Sequence, residues 1–310
     1  MSIRIIEPGA FTTVQDLGRS GYRSAGVPPS GAMDAPALRL ANRLAGNDDD
    51  AAVLEITLLG PTLTFEQEAV VVLAGAPFEG SIDGSAIESG RTTPIPAGAA
   101  MRIGKARSGL RAYLAVRGGI EVPALLGSRS TFVAGGIGGV RGSALKAGDY
   151  LRVGAVPGEP PPTRRASKLE PRTGRAVRAM RARPHAALTN GVIEAFWSHS
   201  FRVSPRSDRA GVRLDGEPMP VAGPTDVDPE GAVYGAIQIT SDGTPIVLGP
   251  DGPATGGYAK IATVITADLP LIGQARPGDT LRFVEVGLDE ARAALRESER
   301  ALADAIEPAT

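Results

Sequence analysis

Apolar residues in this chain come in short runs, and nearly every run is closed by glycine or proline. The longest, Ala69 to Ala76, is too short to span a bilayer or to form a long buried helix. Gly 40 and Pro 26 supply the punctuation, and such punctuation favours many short extended elements joined by tight turns. A mainly β fold follows. Strands are expected at Ile3 to Ile6, Val53 to Leu59, Ala69 to Leu73, Ala99 to Ile103, Arg111 to Val116 and Tyr150 to Val153. One helix interrupts them. Asp34 is its N-cap, Pro36 sits in its first turn, Ala37, Leu40, Ala41 and Leu44 form its apolar stripe, and Gly46 ends it. It is expected to plug one end of a barrel.

A chain of 310 residues exceeds what one hydrophobic core usually serves, so two domains are expected. Residues 156–184 contain a triple proline, many arginines and few large apolar side chains, and read as a linker that builds no core strand. It separates a first domain, 1–155, from a second, 185–310. The second half has strand-like runs at Ala187 to Asn190, Phe201 to Ser204, Gly235 to Thr240, Pro245 to Leu248, Ile261 to Ile265 and Thr280 to Val286. An amphipathic helix closes it, with Leu288, Ala291, Leu295, Leu302 and Ile306 on one face.

The two halves repeat four short signatures in the same order. Arg19 to Arg23 matches Arg209 to Arg213, Gly31-Ala-Met matches Gly235-Ala-Ile, Leu59-Gly-Pro matches Leu248-Gly-Pro, and Gly148-Asp-Tyr-Leu-Arg matches Gly278-Asp-Thr-Leu-Arg. Ordered matches of this kind point to a duplicated unit with a longer insertion in the first copy.

Charge is balanced at a formal net of -1, which provides no field for nucleic acid or an anionic membrane. Cys 0 removes disulfides, thiolate metal sites and a cysteine nucleophile, and His185 and His199 have no second histidine at metal-ligand spacing. The N-terminus carries charge where a secretory leader needs an apolar run, so the cytoplasm is the expected compartment.

Chemistry concentrates in three places. The run Ala134 to Gly142 is rich in glycine but lacks the Lys-Ser/Thr ending of a phosphate loop, and reads as a flexible hairpin or lid. Thr255-Gly256-Gly257-Tyr258 reads as a compact turn before Lys260. It either brings backbone N–H groups, a hydroxyl, a phenol and an ammonium toward an anion, or simply starts a strand. Asp251 is a candidate general base or a cap for that turn. Near the N-terminus, Thr12 to Arg19 is dense in polar groups. Either Thr13, Gln15, Asp16 and Arg19 line a ligand wall, or Asp16 and Arg19 pair structurally. None of the four lysines, Lys105, Lys146, Lys168 and Lys260, lies between two methionines as a biotin-accepting lysine does, so any biotin belongs to another chain.

Long stretches of this chain resemble a family named variously for the C-type subunit of 5-oxoprolinase, for allophanate hydrolase subunit 2 and for biotin-dependent carboxyltransferase. The matching stretches are Pro8 to Asp34, Leu54 to Leu63, Tyr113 to Thr131, Ser207 to Gly216, Gly235 to Leu248 and Thr255 to Leu269. The resemblance implies two cyclophilin-like β-barrels in tandem, with a few short helices and a C-terminal helix. It also implies A-type and B-type partner subunits, ATP used by the complex, and a small amide substrate, 5-oxo-L-proline, hydrolysed to L-glutamate. Asp251 and Lys260 would then be catalytic, and Arg209, Gln238, Thr255, Gly256, Gly257 and Tyr258 would bind substrate with the Thr13 to Arg19 wall. The sequence departs from the family at Ala254, Ala259 and Ala210, where threonine, proline and methionine are more common. Two other readings remain: transfer of carboxylate from a partner's biotin to urea or another amide, and a non-catalytic regulator resembling the antagonist of a sporulation kinase inhibitor.

Overall fold

Burial alternates along Ser2–Glu7 and Thr62–Phe65, as it must for strands with one face on a core. The computed structural model describes residues 1–155, 158, 163–166, 176–183, 185–186, 188–221 and 225–308. The chain forms two compact units. One comprises Met1–Ser20, Ser30–Pro171 and Arg300–Thr310, and the other Gly21–Pro29 and Arg172–Glu299. Neither short excursion is marked by a change in composition.

In the first unit the strands are β1 (Ser2–Glu7), β2 (Phe11–Gln15), β3 (Val53–Thr57), β4 (Thr62–Phe65), β5 (Ala69–Gly75), β6 (Phe78–Ile82), β7 (Ser85–Ala86), β8 (Thr93–Ile95), β9 (Ala100–Ala106), β10 (Arg111–Val116), β11 (Ile120–Glu121), β12 (Tyr150–Val153) and β13 (Arg164–Ala166). They include a sheet of order β11-β12-β1-β4-β9-β6-β7 and another of order β2-β3-β10-β5-β8. Both sheets contribute to one core, Ile3, Ile5, Leu63 and Phe65 from the first and Val14, Leu54, Ile56 and Leu114 from the second. Helix α1 (Ala35–Ala45) is capped as expected, with Asp34 Oδ1 accepting from the Ala37 N–H at 3.1 Å and Gly46 left-handed at φ 76. It does not plug a barrel end. Its Leu38, Ala41 and Leu44 lie on the opposite face of the five-stranded sheet, against Val53, Val72, Ala74 and Ala115.

Strands of the second unit are β14 (Ala176–Arg181), β15 (Ser200–Val203), β16 (Gly211–Asp215), β17 (Asp226–Gly231), β18 (Ala236–Ile239), β19 (Pro245–Leu248), β20 (Thr255–Tyr258), β21 (Lys260–Val264) and β22 (Thr280–Glu285). Seven of them form a closed barrel, β14-β21-β18-β19-β16-β15-β22, sealed by parallel pairing of β14 with β22. The plug is α2 (Asn190–Ser198). Its Phe196 is fully buried and stacks on Phe283 with centroids 5.0 Å apart. A short helix, α3 (Leu269–Gln274), adds Ile272 to the same core. The strand expected from Ala187 is not there: Ala187 lies outside the described residues, and Asn190 opens α2.

Residues 156–184 also differ from expectation. Much of the segment lies outside the described residues, but β14 is a barrel strand with Val177 and Ala179 completely buried. Only these two small apolar side chains face the core among the arginines, too weak an alternation to register as a strand. At the C-terminus, α4 (Leu288–Ala303) buries Ala294, Ser298 and Leu302 and packs Ala291, so the expected face holds at Ala291 and Leu302 but not at Leu288 and Leu295, which are exposed. The last strand, β23 (Ile306–Pro308), pairs with β13.

One of the internal repeats reappears atom for atom. Gly148 donates to Ile5 O and Gly278 to Val203 O, both at 2.8 Å. Asp149 and Asp279 each accept, through Oδ2, the backbone N–H three residues earlier at 2.8 Å. The Gly-Asp pair therefore makes the same capped turn into β12 and into β22.

At the end of α1, Asp49 accepts from Arg39 Nε at 2.9 Å and from Arg43 Nε and Nη2 at 2.6 and 2.7 Å. The Arg43 hydrogen bonds, with help from Arg39, hold its carboxyl down to about 2. Because the folded value lies below the unfolded one, the clasp contributes fully above roughly pH 4 and is lost as the pH falls toward about 2. Thermal melts should therefore show Asp49→Asn less stable than wild type at pH 7, with the gap closing between those two limits.

Candidate functional site

Two polar clusters, one in each unit, contain the residues singled out from the sequence. In the first unit, β2 is the outer strand of its sheet, and its free edge would present unpaired backbone groups. The segment after Gly127 covers that edge. Thr131 donates to Val14 O through both its N–H and its Oγ1 at 2.9 Å, Gln15 Nε2 donates to Thr131 O at 3.1 Å, and the Asp16 N–H donates to Ser130 Oγ at 2.9 Å. Asp16 anchors the arrangement. Its Oδ1 accepts from Ser128 Oγ at 2.7 Å, Ser130 Oγ at 2.5 Å and the Gly18 N–H at 2.8 Å, and its Oδ2 accepts from the Arg129 N–H at 2.6 Å.

Four donors occupy most of the lone-pair capacity of a carboxylate, so Asp16 is a brace and not a poised base. Arg19, buried to 2% exposure, donates through Nη2 to Ser130 O. Asp16 and Arg19 thus hold the same segment. Gln15 Nε2 also reaches Thr13 Oγ1 at 3.0 Å, while Gln15 Oε1 is buried without a partner. The glycine run is no loose lid. A Cβ on Gly138 would strike Ser130 O and one on Gly139 would strike Thr131 Oγ1, and both glycines take positive φ to pack there.

In the second unit, Arg209 and Asp251 form a buried bidentate pair, Nε to Oδ2 at 2.8 Å and Nη2 to Oδ1 at 3.2 Å, with side chains 7% and 8% exposed. The backbone reinforces it. The Asp251 N–H donates to Arg209 O at 3.1 Å, and Gly249 lies so close to that carbonyl that a Cβ would collide with it. Lys260 opens β21 and pairs with Glu230 at 2.8 Å, the two side chains being 23% and 52% exposed.

Thr255 to Tyr258 is a strand and not a turn. β20 pairs antiparallel with β17 at Asp226↔Tyr258, Glu230↔Gly256 and Gly231↔Thr255. Its partner, DVDPEG, is polar, carries a proline and lacks apolar alternation, so nothing in the sequence announced the pairing. Under this ribbon lies Gln238, 5% exposed, whose Nε2 approaches Tyr258 O at 3.4 Å. Gly256 rests on that amide, where any Cβ would overlap Gln238 Nε2. Arg209 and Lys260 each have a carboxylate of their own, Asp251 and Glu230.

Sequence reasoning missed the partners: Ser128, Ser130, Glu230, and a buried group of Glu55, Arg111 and Tyr113. Glu55 had a signal, a carboxylate inside the apolar run Val53 to Thr57. Tyr113 Oη donates to Glu55 Oε2 at 2.8 Å, and burial, with Glu55 adding, pushes its phenol well above the ordinary range. Among the described residues no group of three or more acidic, histidine or cysteine side chains could hold a metal ion, and no helix is long and apolar enough to cross a membrane.

A two-sheet unit and a closed barrel, between which the chain passes more than once, make a mainly β architecture, and its likenesses agree. The chain belongs to the family described as carboxyltransferase domain, subdomain A and B, whose model matches residues 25–285. It is 38% identical to the C subunit of 5-oxoprolinase from Escherichia coli over 96% of both chains. It is 39% identical to urea amidolyase of Lachancea kluyveri over 99% of this chain, but spans 18% of that protein. The crystal structure of Kluyveromyces lactis urea amidolyase superposes with a TM-score of 0.90 at 36% identity, over 97% of this chain and 20% of that one.

Removing one partner of a buried ion pair destabilises by about 3 kcal/mol or more. Asp251→Ala should therefore lower second-unit stability by roughly that amount in urea melts, whereas Glu230→Ala, at the exposed pair, should change it by about 1 kcal/mol or less. Equal effects would contradict the difference in burial between the two pairs.

Proposed function

We propose that this chain is the C-type subunit of an ATP-dependent 5-oxoprolinase, working with A-type and B-type subunits to convert 5-oxo-L-proline to L-glutamate. The observation that supports it best is two-way coverage. The match to the Escherichia coli C subunit takes in 96% of either chain, and the relative of the same name in Haemophilus influenzae is covered to 95%. The urea amidolyase match accounts for a small part of a much longer protein.

A lactam resists hydrolysis because its amide is resonance-stabilised. Attack of the amide oxygen on the γ-phosphorus of ATP releases ADP and leaves a phosphorylated oxygen on the ring carbon. Water then adds there and the C–N bond breaks, the nitrogen leaving as the free amine and the carbon as an acyl phosphate, which a second water hydrolyses to the carboxylate and phosphate. The site must hold a small carboxylate near a developing phosphate. Lys260 is the better carboxylate ligand of the two cations. Releasing it from half-exposed Glu230 costs about 1 kcal/mol or less, while separating Arg209 from buried Asp251 costs about 3 kcal/mol or more. Arg209 and Asp251 are accordingly assigned to framing the site, with Thr255, Gly256, Gly257 and Tyr258 forming the ribbon beside Lys260 and Gln238 lying beneath it. Thr13, Gln15 and Arg19 of the first unit form a buried polar cluster that Asp16 braces, and they are assigned to the framework of that unit.

The family description and the urea amidolyase likeness favour a second reading, in which carboxylate passes from biotin on a partner to urea or another amide. Reconstitution with candidate partners separates the two. Glutamate release from 5-oxoproline that requires ATP and all subunits is expected, and Lys260→Met should raise KM roughly tenfold while kcat stays within about twofold. A stable assembly that releases no glutamate, or one that only carboxylates urea when biotin carrier is added, would reject the 5-oxoprolinase reading.

A further inference from the structure

In the second unit Arg178, Arg209 and Lys260 are each paired with a carboxylate, Asp268, Asp251 and Glu230. Arg23 belongs to the same unit through the excursion Gly21–Pro29, and it is half-buried. Its Nη1 donates to Ala232 O, and among the described residues no carboxylate pairs with it. Burial holds its guanidinium below the ordinary range, with no neighbouring charge acting against that. A half-buried charge without a counter-ion costs stability. Among the described residues the Nε and Nη2 edge, which can grip an oxyanion through two parallel hydrogen bonds, is unspent.

The turn that carries Arg23 is closed by its own backbone. The Gly26 N–H donates to Arg23 O at 2.9 Å and the Val27 N–H to Tyr22 O at 3.2 Å. Its tip stands clear of packing: Tyr22, Ser24 and Ala25 are exposed, and a Cβ added at Gly21 or Gly26 would meet no atom within 4 Å. Arg23 itself reaches the ribbon beside Lys260. Ala232 directly follows β17, its N–H donates to Ala254 O at 2.9 Å, and the next pairs along the ribbon are Gly231↔Thr255 and Glu230↔Gly256. Arg23 and Lys260 therefore contact this strand at Ala232 and Glu230, two residues apart, or about 7 Å along an extended chain.

We propose that Arg23 is the phosphoryl-binding residue of the site whose carboxylate ligand is Lys260. The inference rests on the 5-oxoprolinase reading. Lys260 must leave Glu230 before it can hold an anion, which suits a charge that the substrate already carries. Arg23 has no carboxylate to leave, so its charge is in place before negative charge develops, and such preorganisation acts on the reaction more than on binding. The Ala232 carbonyl fixes the guanidinium, whose planar fork matches phosphate oxygens. The group it holds passes from ATP to the lactam oxygen, stays on that oxygen as the acyl phosphate once the C–N bond has broken, and is released by water as inorganic phosphate.

The test uses the reconstituted complex, with inorganic phosphate as the probe. Arg23→Gln keeps a donor for Ala232 O but removes the charge. It should lower kcat for glutamate release roughly a hundredfold while KM for 5-oxoproline stays within about twofold, the reverse of the split expected for Lys260→Met. Added phosphate should inhibit this variant roughly tenfold more weakly than wild type. Arg23→Lys, with the charge but not the fork, should fall between the two. Because the charge has no counter-ion to lose, the full chain carrying Arg23→Gln should melt in urea at the wild-type midpoint or above it. A wild-type complex indifferent to phosphate, or equal inhibition of wild type and Arg23→Gln, would overturn the assignment while leaving the activity standing. A raised KM for 5-oxoproline at unchanged kcat would move Arg23 to the carboxylate and overturn it as well. Absence of glutamate release by the wild-type complex would instead reject the functional reading beneath it.

Discussion

The outer edge of β2 is the constraint from which most of the first unit follows. An edge strand this polar would be solvated or would recruit another chain, yet Thr12 to Gln15 are all buried. Burial is possible because the chain returns more than a hundred residues later and lays Ser128 to Thr131 along the edge. Asp16 fastens it with four accepted hydrogen bonds. Once that segment is pinned, Gly138 and Gly139 are required, because only residues without a Cβ can approach the Ser130 carbonyl and the Thr131 hydroxyl so closely.

In the second unit the corresponding constraint is charge compensation at unequal depth. Arg209 and Asp251 sit where solvent barely reaches, so their pair is a fixed part of the framework. Lys260 and Glu230 sit in partial solvent, where an ion pair forms and breaks at little cost. Of the two cations, burial leaves Lys260 the one whose pair opens at little cost.

Several elements were legible because their signals are local. Asp34, Pro36 and Gly46 mark α1 at both ends, and the Gly-Asp turns before β12 and β22 repeat down to their hydrogen bonds. Other elements were hidden because a distant partner makes them what they are. β20 looks like a turn until β17 is set beside it, and β14 looks like a tether until β21 and β22 flank it. The α1 stripe was correct, but whether it would cap a barrel or lie on a sheet depended on which strands formed the surface beneath.

By itself the sequence determined the mainly β class, the caps of α1, the duplicated Gly-Asp turn and the polar density around Thr13 to Arg19 and Asp251 to Lys260. These depend on backbone preferences and side-chain chemistry within a few residues. Tertiary structure alone decided that Asp16 braces Ser128 and Ser130, that Asp251 is held by Arg209, that Lys260 is paired with Glu230, and that Gly21–Pro29 and Arg300–Thr310 each leave the unit their neighbours belong to. Those outcomes turn on depth of burial and on contacts between residues far apart in the chain, and neither quantity exists until the chain has folded.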